Sequence, residues 1–447
     1  MKIRSPLPVA LSPRYQRFGT RSRRLLPSFA LFASFFSAVV GFTSTAHAEI
    51  ILAEKDGWSV GTDGRVNAFF SYTHGQGRPL DLPPANPAPG AGIEHPLDNQ
   101  NEIDSSRIRS GFVGTVLGLN IKKQITPTLA MKGRLALWWT IEQRRTIGAG
   151  TNNVDGREAY LKIEGTWGGL MAGRTLGLFS RGNIELDALY AHGNGVGYPC
   201  DVANYGPACG HVGFGVQYPG FTPSIRYYTP DTLGGFSFEG GIFDPVTLSG
   251  RYERTPYPRT EGELAYHYKG EQDAMNAKVW ASGTWQRMLG YNEDPVKPTT
   301  IKSADAYGVA YGLRGGIGPM HAGFAGFFGK GLGITYPLEN TQYPADANLK
   351  LRTSDGFYGQ LMLTVLHTDI SAGLGVSRLH ETDADLHPAA PMVRANAIKT
   401  QRGISACVYH HWEAVTFGVE YFRADYTWVY GNSQAVNFYN AGATFMW

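Results

Sequence analysis

The sequence predicts an all-β transmembrane protein: an antiparallel β-barrel of about 16 strands. Three observations predict it. Apolar and polar residues alternate with a period of two in segment after segment. The connections between those segments are alternately short and long. The chain ends on an aromatic residue, Trp447, with Phe445, Ala443, Ala441 and Tyr439 at every second position before it.

The elements follow in chain order. Residues 1–48 read as a cleaved export signal. Arg14, Arg17, Arg21, Arg23 and Arg24 form a basic start, Leu25 to Phe42 is almost wholly apolar or small, and Ala46-His47-Ala48 is a small-x-small cleavage pattern. Pro27 and several serines interrupt the run, which argues against a retained anchor. A twin-arginine route at Arg23-Arg24 would carry folded cargo and fits a barrel poorly. The remainder, 49–447, reads as one barrel domain with no dividing linker. The signal carries seven of the 40 basic residues and no acid, which leaves 33 basic against 37 acidic and a net charge of −4. No basic patch remains for nucleic acid. After the signal, no apolar run approaches the roughly 20 residues of a membrane helix. Abundant glycine (57) and aromatics (13%), with only 43% hydrophobic residues, suit strands that face lipid on one side and water on the other.

Strands are expected at 60–73, 105–122, 128–143, 156–166, 169–175, 222–230, 235–245, 260–269, 276–288, 303–317, 320–331, 351–368, 370–380, 398–413, 415–428 and 434–447. In the first, Val66, Ala68, Phe70 and Tyr72 share one face, while Arg65, Asn67, Phe69 and Ser71 share the other. In the third, Leu129, Met131, Leu135, Leu137 and Trp139 oppose Lys132 and Arg134. In the fourth, Ala159, Leu161 and Ile163 oppose Glu158, Tyr160, Lys162 and Glu164. An even count is what a single-chain bacterial barrel requires when both termini lie on one side. Short connections fall at Thr126-Pro127, Trp167-Gly168, Asp231 to Gly234, Gly318-Pro319 and Thr368-Asp369; long ones fall at 74–104, 289–302, 332–350 and 381–397.

The stretch from Arg157 to Gly177, with Arg174 near its end, resembles the general diffusion porins of Gram-negative outer membranes, as do Ser106-Arg107-Ile108-Arg109-Ser110-Gly111-Phe112 and the hairpin from Ser224 to Phe236. The resemblance covers most of 49–447. It implies a cell-outer-membrane channel through which small hydrophilic solutes and ions diffuse passively, a homotrimer, and a third loop, 175–220, folded into the lumen as a constriction. Barrels of this kind end on an aromatic that the barrel assembly machinery reads. Tyr439, Phe445 and Trp447 resemble that signal, with Trp in place of the usual Phe.

Period-two parity puts Arg65, Arg107, Arg109, Lys132, Arg134 and Lys162 on the lumen face, a candidate basic wall. Glu185, Asp187 and Asp201 in 175–220 are the candidate acidic loop side. Opposed charges across low-dielectric walls sort ions and orient dipoles. Cys200 and Cys209 lie close enough to bridge in an oxidising periplasm; two free thiols is the other reading. No cofactor is expected. No metal site is expected either: the cysteines and nearby His192 and His211 lack zinc spacing, and His410 and His411, adjacent on a strand, face opposite ways. No set of nucleophile, base and orienter stands out, so an enzyme is not expected. Two other readings remain: a substrate-specific porin for sugar, phosphate or organic acid, using lumen-parity Phe69, Trp138, Tyr160, Tyr228 and Trp280, and an outer-membrane β-barrel enzyme.

Overall fold

Alternation becomes a wall because each strand residue points opposite to its neighbours, so one face of every segment is apolar and the other polar. The computed structural model describes residues 49–77, 79, 102–112, 114–141, 154–192, 195–198, 208–230, 234–246, 252–270, 275–290, 302–334, 344–346, 350–386, 398–429 and 431–447. The expected export signal, 1–48, lies outside them, as do Cys200 and Asp201.

Among the described residues there are nineteen strand segments. They are β1 (Ile50–Lys55), β2 (Trp58–Gln76), β3 (Glu102–Arg109), β4 (Thr115–Thr126), β5 (Leu129–Trp139), β6 (Val154–Gly165) and β7 (Gly168–Leu176), then β8 (Phe221–Tyr228), β9 (Phe236–Phe243), β10 (Tyr252–Arg254), β11 (Arg259–Lys269) and β12 (Met275–Gly290). The rest are β13 (Lys302–Ile317), β14 (Met320–Lys330), β15 (Thr353–Val365), β16 (Thr368–Leu379), β17 (Ile398–Trp412), β18 (Val415–Trp428) and β19 (Ser433–Met446). Three short helices, α1 (Arg181–Leu186), α2 (Ala188–Ala191) and α3 (Asp383–Leu386), lie in connections.

The segments fill the sixteen positions of a closed antiparallel barrel. β3 and β4 are one position, since both pair with β2. β10 and β11 are another, since both pair with β12. β1 takes up the position of β19: it pairs with β2 up to Thr62, and β19 pairs with β2 from Arg65 onward. The wall closes where β19 meets β2. Reciprocal backbone bonds between Gly64 and Trp447, both 3.0 Å, finish that seam.

Several boundaries differ from the sequence reading. The expected strand 105–122 is broken between Arg109 and Thr115, and β1 and β10 were not anticipated. The hairpin expected to turn at Thr368-Asp369 turns at Leu366-His367, both in the left-handed region (φ 47° and 63°). A two-residue turn of type I′ needs that conformation at both positions, and neither residue advertises it as glycine would. Tight turns also fall at Asp56-Gly57, Pro127-Thr128, Thr166-Trp167, Gly318-Pro319 and Glu413-Ala414, all at one end of the barrel. The longer connections lie at the other end.

The apolar face points out. Leu313, Leu361, Leu374, Ile404 and Val419 are exposed along neighbouring strands. In water such a band is an association hazard; against acyl chains it is the stabilising surface. The opposite face carries buried polar groups such as Asn67, Ser71, Arg109, Glu261 and Gln401. At the long-loop end, Arg352 donates to Asp385 through two bonds of 2.9 and 2.6 Å. Burial alone would raise the Asp385 carboxyl; its bonds to Arg352 and Thr382 hold it below the ordinary range.

Leu374 sits mid-strand on the outward face. Leu374→Arg is expected to destabilise the barrel by about 2–4 kcal/mol, read from urea unfolding in lipid vesicles, because an arginine there meets hydrocarbon.

Candidate functional site

The six basic residues expected on the inner wall have the following neighbours. Arg65 alternates with the outward Val66, and its guanidinium lies 5.5 Å from the Trp138 ring centre. Arg107 and Arg109 stand opposite Ser71 and Phe69 of β2, on the inward parity. Lys132 pairs with Glu164. Lys162 lies over Tyr160 and Tyr228, at 5.3 and 5.4 Å. Arg134 donates to Asp63 at 2.7 and 2.9 Å, to Asn120 at 2.9 Å and to Glu158 at 3.1 Å.

Those bonds change the electrostatics. Around Arg134 two carboxylates face one guanidinium, and the Lys132 charge is met by Glu164. Such opposed groups screen each other at close range, so this part of the wall is a mixed ladder of charge rather than a basic strip. Asp63 and Glu158 had the inward parity in the sequence; what parity alone does not give is which neighbours pair across strands.

The described residues of 177–220 bond side chains of β9, β11, β12, β15, β16 and β18. Glu261 on β11 accepts from the amides of Leu178 and Phe179 at 2.8 and 3.1 Å. Arg181, opening α1, bonds Glu239 and Glu263 at 2.7 Å each. Asn183 accepts from the Trp280 indole at 2.8 Å and donates to the Gly326 carbonyl at 3.0 Å. Glu185 pairs with Lys278 of β12 at 3.1 Å. The Ala188 amide donates to Gln360 of β15 at 2.9 Å. Glu420 on β18 accepts from the amides of Val196 and Gly197, both at 2.9 Å to one oxygen, and from the Tyr409 hydroxyl at 2.9 Å to the other. The returning part bonds Ser377 of β16 through the Gly215 amide, at 2.8 Å. Here glycine is required: a Cβ on Gly375 would lie 1.8 Å from the Phe214 carbonyl oxygen.

Glu185 and Asp187 therefore have different places. Glu185 is partly open and ion-paired. Asp187 is fully buried: it caps α2 through the Leu189 amide and accepts from the His211 amide at 2.8 Å and the His211 ring at 3.0 Å. It fastens the outgoing and returning halves of the segment together and is not offered to water. Cys209 is buried beside this hub, and Cys407 is a buried free thiol. At the seam, Tyr439 and Phe445 face outward, and Trp447 stacks on Phe445 at 5.9 Å. Glu239, Glu261, Glu263 and Glu420, which hold the segment, were not singled out as anchors in the sequence. Their signal is a carboxylate at inward parity inside an apolar-alternating strand, for which an aqueous lumen is a sufficient reason. Among the described residues, no three histidine, cysteine or acidic side chains converge as metal ligands.

Comparison with known proteins gives the following. A family model for Gram-negative porins matches residues 34–325. No curated protein sequence matches the chain. The outer membrane channel DcaP of Acinetobacter baumannii superposes with a TM-score of 0.61 at 14% identity, covering 89% of this chain and 100% of that one. An anion-selective porin from Comamonas acidovorans gives 0.53 at 12% identity, over 87% and 100%. The trimer form of OmpT from Vibrio cholerae gives 0.50 at 12%, over 88% and 100%.

Glu420→Leu leaves the buried Val196 and Gly197 amides without an acceptor, at about 1–3 kcal/mol for each. The expected result is a lowered urea midpoint together with faster proteolysis within 177–220. Tyr409→Phe, which removes one donor and no acceptor for the segment, should shift the midpoint far less.

Proposed function

The chain belongs to the Gram-negative porin family, an outer-membrane channel, and from that premise we propose that it passes small hydrophilic solutes and ions by passive diffusion past a constriction formed by 177–220. The observation that carries this reading is the run of bonds from Leu178 to Gly215 onto inward-facing side chains of β11, β12, β15, β16 and β18. A connection left outside the barrel has no access to that face. Folded against it, the segment occupies part of the cross-section and leaves the β2–β6 side as the free wall of the passage.

On that wall, Arg65, Arg107 and Arg109 lie on adjoining strands. We assign selectivity to Arg65 and Arg107, with Glu185 as the acid on the segment; Arg109 is fully buried and belongs to the structure of the wall. The transverse field between them sorts ions as they pass. Arg134 and Lys132 act mainly within their ion pairs. Asp187 acts by positioning the segment.

The reading extends to assembly. Residues 1–48 are removed on export, the aromatic end at Tyr439, Phe445 and Trp447 is read by the barrel assembly machinery, and three copies associate in the lipid. The trimer form of a structural neighbour supports the last point. A general pore is favoured over a substrate-specific one because Trp138 and Trp280 are buried, at 8% and 2% exposure, and Trp280 is bonded to Asn183, so they form no open aromatic track.

Two measurements test this. Arg107→Ala should shift the reversal potential in a salt gradient toward cations, by about twofold in the permeability ratio; an unchanged ratio removes it from the filter. Liposome swelling with sugars of graded mass should depend on size alone, and saturation with any one sugar would favour the substrate-specific reading.

A further inference from the structure

We infer that a histidine-lined chamber at the tight-turn end of the barrel makes the channel's ion selectivity depend on pH. This rests on the channel reading above and adds a specificity-determining set to it.

Four histidines from four places in the chain line one chamber of about 440 Å³: His192 at the end of α2, His321 on β14, His367 in the turn after β15, and His411 on β17. Three of them lie at or within a few residues of tight turns, so the chamber opens toward that end of the barrel. His192 comes from the constricting segment, so the chamber adjoins the narrow part. Asp369 on β16 sits between two of the rings, with one oxygen 2.9 Å from His192 Nδ1 and 2.9 Å from His411 Nε2. His410 points away from the chamber and bonds Thr368.

The charged groups around the histidines nearly cancel. Arg314 and Glu185 also line the chamber, Glu185 is paired with Lys278, and Asp369 offsets Arg314. His267 stands opposite Lys278 on β11, beside this wall. With the imidazoles neutral the chamber therefore carries no net charge. With the four protonated it carries four positive charges in a confined, partly desolvated space. Histidine is the side chain whose ordinary titration falls between about pH 5 and 8. A confined cationic vestibule raises the local anion concentration and excludes cations. Acidification should thus turn the passage toward anions without any movement of the barrel.

The test is a planar-bilayer reversal potential in a potassium chloride gradient, with both compartments first at about pH 8 and then at about pH 5.5, either side of the histidine range. The wild-type channel should gain anion preference on acidification, by about twofold or more in the permeability ratio. A variant with His192→Gln, His321→Gln, His367→Gln and His411→Gln should lose most of that shift while conducting normally at the higher pH. His321→Gln with His367→Gln removes two rings that make no hydrogen bond among the described residues, so it leaves the fold's bonds in place; it should retain about half of the shift, in proportion to the charges removed. A wild-type channel whose ratio is the same at both pH values overturns the inference, as does an undiminished shift in the double variant. A wild-type protein that does not conduct at all overturns the channel reading as well, which separates the two failures.

Discussion

Closure of the hydrogen-bonded wall is the constraint from which the rest follows. In hydrocarbon an unpaired backbone amide or carbonyl has no water to turn to, so a sheet survives only without edges. Here the last strand pairs with β2 over most of its length, the reciprocal Gly64–Trp447 bonds finish the seam, and β1 continues that position below it. Once the edges are gone, the period-two pattern has one arrangement that satisfies both faces: leucines and valines against lipid, and polar groups against an aqueous interior. The aromatic end of the chain matters because it lies at the seam.

A second requirement falls on the described residues of 177–220, and carboxylates meet it. A long segment packed against a wall must find partners for its backbone amides, and the wall's own amides are already used in the ladder. Glu261 and Glu420 supply acceptors for two adjacent amides each, at the beginning of the segment and just before its midpoint. Asp187 does the same within the segment, with His211 as its counter-group. The described part of the segment is thus held by buried acids. The acids that face the passage are a separate set, and only Glu185 of the described candidates belongs to it.

Much of the fold was legible in the sequence, because lipid on one face and water on the other leave strong alternation. Asn67 and Ser71 against Val66 and Phe70 are enough to assign faces. What alternation cannot register is a local break in pairing. Across the gap between Arg109 and Thr115 the inward positions change from odd (Ile103, Arg109) to even (Val116), which a single run over 105–122 conceals, and Leu366-His367 reads as strand although both residues adopt the left-handed conformation. The site was legible by parity and obscure by pairing. Parity assigns Arg134 a face, while its three-way bond to Asp63, Asn120 and Glu158 depends on register between strands distant in sequence. The same holds for the chamber histidines, which come together only when β14, β15, β16 and β17 stand side by side.

The central claim is an enclosed aqueous path through a protein immersed in lipid. Single-insertion recordings in a planar bilayer test it most directly, with the step conductance followed as the electrolyte concentration is raised. A water-filled passage gives discrete steps whose conductance climbs in proportion to the bulk conductivity of the solution. Absence of steps from well-folded protein, or a conductance that levels off while the bulk conductivity continues to rise, contradicts it.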